Sequence, residues 1–231
     1  MSTTDHIETS APPRDFRPAG IAGWAGTAML FAGVILMSST GAPEPQFDGS
    51  SAEIQRYLET QSRTAVGVGG FLFAFGLCAL LWFVSGLSAA LRRPGVGPAW
   101  LPTVVLASGV AAVAPLLAGA PQAAAFRGSD GLDARVAQLA FDLGSMTFAN
   151  MWVALGSLSL ASGWAILAGR GLPSSPGQPG WPAWLGWWAL VVGAGLLVVR
   201  VAFPTYLWVI PYLPFWVWVL VVSTRMLRTR P

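Results

Sequence analysis

Residues 184–222 read WLGWWALVVGAGLLVVRVAFPTYLWVIPYLPFWVWVLVV, 39 residues in which Arg200 carries the only charge. As one straight helix this stretch would be about 58 Å long at 1.5 Å per residue, roughly twice the ~30 Å hydrocarbon core of a bilayer. One crossing cannot use that length, but two can. Proline lacks a backbone donor and breaks a helix, so Pro204 sets the reversal between Arg200 and Tyr206. Pro211 and Pro214 then make the first turns of the next helix irregular. The pair predicts a membrane hairpin, and the rest of the chain follows the same pattern.

The whole chain of 231 residues is 54% hydrophobic and 10% charged, against about 25% charged in an average soluble domain. So few charges cannot cover the surface of a water-soluble fold of this size, and lipid must solvate most of it. Upstream of the hairpin, apolar runs predict spans at about 20–37, 65–91, 100–121 and 145–168, with Pro115 kinking the third. The fold expected is all-α: a polytopic six-helix transmembrane bundle over residues 20–224. A disordered cytoplasmic tail (1–19) and a short basic tail (225–231) flank it. Two short amphipathic external helices complete the expectation. In the first, Ser50 and Glu53 make a capping-box pattern, with Ile54, Tyr57 and Leu58 on one face. In the second, Leu132, Val136, Leu139 and Leu143 recur at helical spacing before the fourth span.

Orientation follows from the arginines, since the chain has no lysine. An inside N-terminus leaves Arg14, Arg17, Arg92, Arg93, Arg170, Arg225, Arg228 and Arg230 in the cytoplasm. Arg56, Arg63, Arg127, Arg135 and Arg200 are then outside. The inside set lies within a few residues of span ends, where positive charge decides topology. Both termini are therefore expected in the cytoplasm. Trp100, Trp181, Trp184, Trp187 and Trp188 would ring the inner boundary, and Tyr206 and Trp208 the outer one. Trp82, Trp216 and Trp218 lie deeper, as packing residues.

The scattered arginines form no patch for nucleic acid. A single Cys (Cys78) and a single His (His6) leave no intramolecular disulfide and no Cys/His metal site. No catalytic, metal or cofactor residues are assigned. Ser85-Gly86 has the look of an intramembrane nucleophile, but no span holds a histidine to activate it. Three polar residues stand out as a candidate ligand cavity. Arg200 sits at a helix end, where it is either an anchor or a cation facing a cavity. Asn150, inside the fourth span, should seek an interhelical hydrogen bond. Asp142 precedes it by eight residues, about 12 Å along a helix. Small residues offer packing ridges: Ala22, Gly23 and Gly26; Gly70, Ala74 and Cys78; and Ser157, Ala161, Ala165 and Gly169.

Three motifs carry a resemblance: the external helix Ala52-Glu53-Ile54-Gln55-Arg56-Tyr57-Leu58, the basic span end Ala89-Ala90-Leu91-Arg92-Arg93, and the entry Pro182-Ala183-Trp184-Leu185-Gly186-Trp187. Together they resemble uncharacterised bacterial six-span integral membrane proteins, a family that implies an inner-membrane location and no activity or binding residues. The expected partner is the lipid bilayer, with a membrane protein or a second copy as a further one. Two functional readings stand. One is a non-enzymatic structural or interaction component. The other is a small-molecule or lipid binder or transporter with an outward-facing polar cavity near Arg200, Asn150 and Asp142.

Overall fold

The computed structural model describes residues 15–92, 97–128, 133–170, 179–203 and 205–229. Most of the expected N-terminal tail, Arg93 of the basic pair, residues 171–178, Pro204 and Arg230 lie outside them. In chain order the α-helices are α1 (Arg17–Ser38), α2 (Ser51–Thr60), α3 (Arg63–Leu91), α4 (Leu101–Val113), α5 (Ala120–Gly128), α6 (Ala134–Ala168), α7 (Ala183–Val199) and α8 (Val209–Leu227). Short 3-10 turns at Leu116–Ala118 and Tyr206–Trp208 are the other regular elements among the described residues.

Among the described residues, five segments are long and apolar enough to cross a membrane: α1, α3, Leu101–Arg127, α6, and Tyr206–Leu227. Between the last two stands α7, apolar but 17 residues long, about 25 Å at 1.5 Å per residue and at the short end of the spanning range. The protein is an all-α membrane bundle.

Starts are set locally. Pro18 and Pro102 occupy the first turns of α1 and α4, where a missing N–H costs nothing. Ser50 caps α2 through the expected box: Ser50 N–H donates to Glu53 Oε2 at 2.9 Å, and Glu53 N–H donates to Ser50 Oγ at 3.3 Å. Asp133 caps α6 by accepting from the N–H groups of Arg135 (2.9 Å) and Val136 (3.4 Å).

Six helices close a ring in the order α1, α3, α4, α6, α7, α8 and back to α1. Neighbours run antiparallel throughout. Two of the seams are built alike. Gly26 and Gly33 of α1 face Gly76 and Gly69 of α3, and Gly156 and Gly163 of α6 face Gly193 and Gly186 of α7. A Cβ added at any of the eight would come within 2.6–3.0 Å of the facing glycine's carbonyl oxygen or, at Gly69, Gly76 and Gly186, still nearer to a facing side chain. Backbones this close gain van der Waals contact that larger residues would forbid, which matters where apolar burial itself gives little. The α1–α8 seam closes the ring: Gly20 and Gly23 press on Ser223 and Leu227, and Trp24 Nε1 donates to Thr224 Oγ1 at 3.1 Å. The beginning of α1 and the end of α8 therefore lie at the same end of the bundle.

Several expectations need correction. Pro115 does not kink a continuous third helix. It ends α4, and the chain passes through the 3-10 turn and Gly119, whose φ of +65° suits glycine, before α5 starts. The second external helix is not separate. The run from Val136 to Leu143 forms the first turns of a continuous 35-residue α6, about 52 Å long, which projects beyond the ring. There it packs on α2 and α5, with Ile54, Leu58, Ala124, Ala125, Ala137 and Phe141 in a small core of their own. Those contacts carry the helix through Gly144. The expected ridges are met in part. Gly23 and Gly26 face α8 and α3, and Ser157 faces α4, bonded to Ser108 at 2.9 Å, while Gly156 and Gly163, outside the expected ridge, face α7. Trp82 is not a packing residue: it is 70% exposed on the outside of the bundle, and Cys78 is exposed too.

Candidate functional site

At the α2 end the ring does not fill its centre. A cavity of about 800 Å³ opens between α1, α3, α4, α6 and α8, beneath a roof made by residues 44–47, α2 and α5. On α6 its lining runs from Phe141 to Trp152, about 16 Å of helix.

One wall is aromatic. Phe148 and Trp152 stand one turn apart on α6; Trp208, which caps α8, and Tyr212 and Trp216 on it follow at the same spacing. Trp152 stacks on Trp208 with centroids 5.6 Å apart and 20° between planes. Phe148 meets Trp152, Trp208 and Tyr212 edge-on at 5.2–5.7 Å. Phe203 and Phe31 extend the wall on either side. All of these rings line the cavity.

The roof is polar. Gln61 caps the end of α2, and its position is fixed by a strap: Ala42 N–H donates to Thr60 Oγ1 at 2.8 Å and Ser62 N–H donates to Thr40 Oγ1 at 3.3 Å. Gly41 makes the strap's turn at φ +85°, against the Thr60 carbonyl, where a Cβ would be both strained and crowded. Gln61 is 7% exposed, yet neither its Nε2 nor its Oε1 has a hydrogen-bond partner. Gln122 Oε1 and the fully buried Trp152 Nε1 are likewise unpartnered. So is Trp216 Nε1, which is near the Tyr212 hydroxyl but outside bonding geometry. Each buried polar atom left unpaired costs about 1–3 kcal/mol. Gln61, Gln122, Trp152 and Trp216 all line the same cavity, so the costs concentrate where a bound molecule would offset them.

Glu44 stands at the rim, its side chain exposed at the surface, and partial burial of its carboxyl raises its pKa. The Tyr57 hydroxyl beneath it is pushed up to about 12, chiefly by burial and further by the Glu44 charge.

The chain matches no protein-family model, no curated protein and no solved structure.

Arg200 and Asn150 come together: Arg200 Nε donates to Asn150 Oδ1 at 3.2 Å. The guanidinium also lies 3.8 Å from Met146 sulfur and 5.7 Å above the Phe203 ring. Neither residue lines the cavity, nor does Asp142, which takes no part in the pair. Phe203 is their link to it: one ring serves the guanidinium and the aromatic wall. The cavity is thus apolar and aromatic with a polar roof, unlike the polar space expected around Arg200. Its key residues escaped the sequence reading. Gln61, Gln122 and Glu44 sit in polar loop segments where such residues are ordinary, and Trp208 reads as a boundary anchor. The four-residue aromatic spacing on both α6 and α8 was the available signal.

Proposed function

We propose that this protein binds a lipophilic small molecule or lipid inside its helix ring, as a binder or carrier and not as a catalyst. The observation that carries the reading is the coincidence in one cavity of about 800 Å³ of an aromatic wall and buried polar atoms without partners. Ligand pockets of roughly 300–1,000 Å³ combine this kind of apolar lining with a few polar groups. The arginine distribution supports a cell-membrane protein with cytoplasmic termini, which puts α2 and the cavity mouth on the far side. Ser85, the one nucleophile considered, donates to its own helix carbonyl at Leu81, 2.7 Å away.

A purely structural or interaction role has less support. The small residues that would offer a partner surface are used within the chain: Ala161 is 5% exposed, and Gly156 and Gly163 are covered by α7. The test is purification in mild detergent followed by native mass spectrometry. A bound lipophilic molecule should co-purify and be lost when Ala112, on the cavity wall, is replaced by Phe. An empty protein under every extraction condition, in wild type and variant alike, would refute the proposal.

A further inference from the structure

Resting on that reading, we propose that the ligand is an uncharged amphiphile: an apolar body along the aromatic wall and one head group that both donates and accepts hydrogen bonds, held by Gln61 and Gln122.

The unpartnered roof atoms are of both kinds. Gln61 Nε2 is a donor, while Gln61 Oε1 and Gln122 Oε1 are acceptors. A phosphate or carboxylate head only accepts, and would leave both amide oxygens unsatisfied. A quaternary ammonium does neither, and would leave all three. A hydroxyl or carboxamide satisfies both kinds. Charge points the same way. Among the described residues no arginine lines the cavity and the one carboxylate is Glu44, so an anionic head would be desolvated beside a like charge with no counter-charge. Below the roof, Trp152 Nε1 offers a second donor to a carbonyl or ether oxygen partway along the body.

The head group has two sources. A bilayer lipid could enter sideways, because Val34 of α1 and Leu213 of α8 line the cavity and are about half exposed. Toward the opposite end Gly20 and Gly23 press those two helices together, whereas beside the cavity they meet through the Phe31 and Trp216 rings, centroids 5.8 Å apart. A water-soluble amphiphile would instead pass the rim at Glu44.

The experiment titrates delipidated protein in nanodiscs with monoolein, oleyl sulfate (an anion that only accepts) or oleyltrimethylammonium and follows retained probe by native mass spectrometry. Monoolein should bind saturably and in preference to both charged probes. Gln61→Leu and Gln122→Leu should each weaken it about three- to tenfold, the worth of one hydrogen bond. Gln61→Leu should also leave the melting temperature of the empty protein unchanged or raised, since it removes an unsatisfied buried amide. A misfolding variant would lower it, and Gln122→Leu then serves as the independent reading. A six-carbon monoacylglycerol added from water separates the sources. Binding by it supports the aqueous route, and binding by monoolein alone supports the bilayer route; both keep the head-group assignment. Preference for either charged probe, or indifference of monoolein to both glutamine variants, overturns the head-group assignment and leaves the cavity reading intact. Saturable binding of none of the probes removes both.

Discussion

Desolvation makes Glu44 a poorer acid in the folded protein than in the unfolded chain, and the sign of its effect on stability follows. A carboxyl with a raised folded pKa binds its proton more tightly when folded, so its contribution is fully present below the ordinary carboxylate pKa and is lost as pH rises through the folded value. We predict that thermal unfolding shows a component that falls with rising pH just above the ordinary Glu range, and that Glu44→Gln removes it. A pH profile of melting temperature unchanged by the substitution would count against the desolvated rim. Tyr57 obeys the same rule in alkali, losing its contribution between its usual pKa of 10.0 and about 12. Arg200 and Asn150 make a different prediction. Their hydrogen bond lies outside the cavity lining, and such bonds in membranes average about 0.6 kcal/mol. Arg200→Ala should lower yield or melting temperature modestly while changing ligand retention less than about twofold, read by the same native mass spectrometry. The pair was legible in the sequence because both residues are out of place in apolar runs. Gln61 and Gln122 were not, because their burial arises only when α2 and α5 fold over the ring.

At the α1–α3 and α6–α7 seams the helices meet through paired glycines. Gly33 would put a Cβ 2.6 Å from the Gly69 carbonyl oxygen, and Gly163 one 2.7 Å from that of Gly186. Both contacts are backbone and cannot swing aside. We predict that Gly33→Leu and Gly163→Leu each destabilise by about 1–3 kcal/mol or more, the usual range for overpacking. Ala194→Leu on the exposed side of α7 should change little. Unfolding of purified protein by titrated SDS separates these outcomes, and equal effects at all three sites would refute the close seams. Span positions and the Arg200–Tyr206 reversal were readable because about 20 apolar residues have few other uses. Which glycines face which helix was not, since small residues lie on every side of these helices and only the packing selects among them. The continuity of α6 escaped for a related reason. Gly144 and Ser145 look like a boundary locally, and contacts with α2 and α5 hold them helical.

As a whole the ring has a two-part regularity. Exchanging α1, α3 and α4 with α6, α7 and α8 preserves both the order of neighbours and the paired glycine seams, seven residues apart in each half. Three antiparallel helices per half is an odd number, so the halves run in opposite directions, as in inverted-repeat membrane folds. The halves meet at two seams, α4 on α6 and α8 on α1, and the second joins helices from opposite ends of the chain. That seam is the sharpest test of the closed ring. A Cβ at Gly23 lies 3.1 Å from Ser223 Cβ and 2.7 Å from the buried Phe83 ring, so the bond, which needs roughly 3.5–4.5 Å between Cβ atoms, forms once α1 and that ring give way slightly. With Cys78 replaced by Ala, Gly23→Cys/Ser223→Cys should form an intramolecular crosslink on mild oxidation. The product should be monomeric and run faster than the reduced chain on a denaturing gel, because the bond closes a loop of about 200 residues. Either single cysteine alone should give no such species. Crosslinked dimers in place of the compact monomer would mean that α1 packs on the α8 of another copy, opening the ring and with it the cavity between α1 and α8.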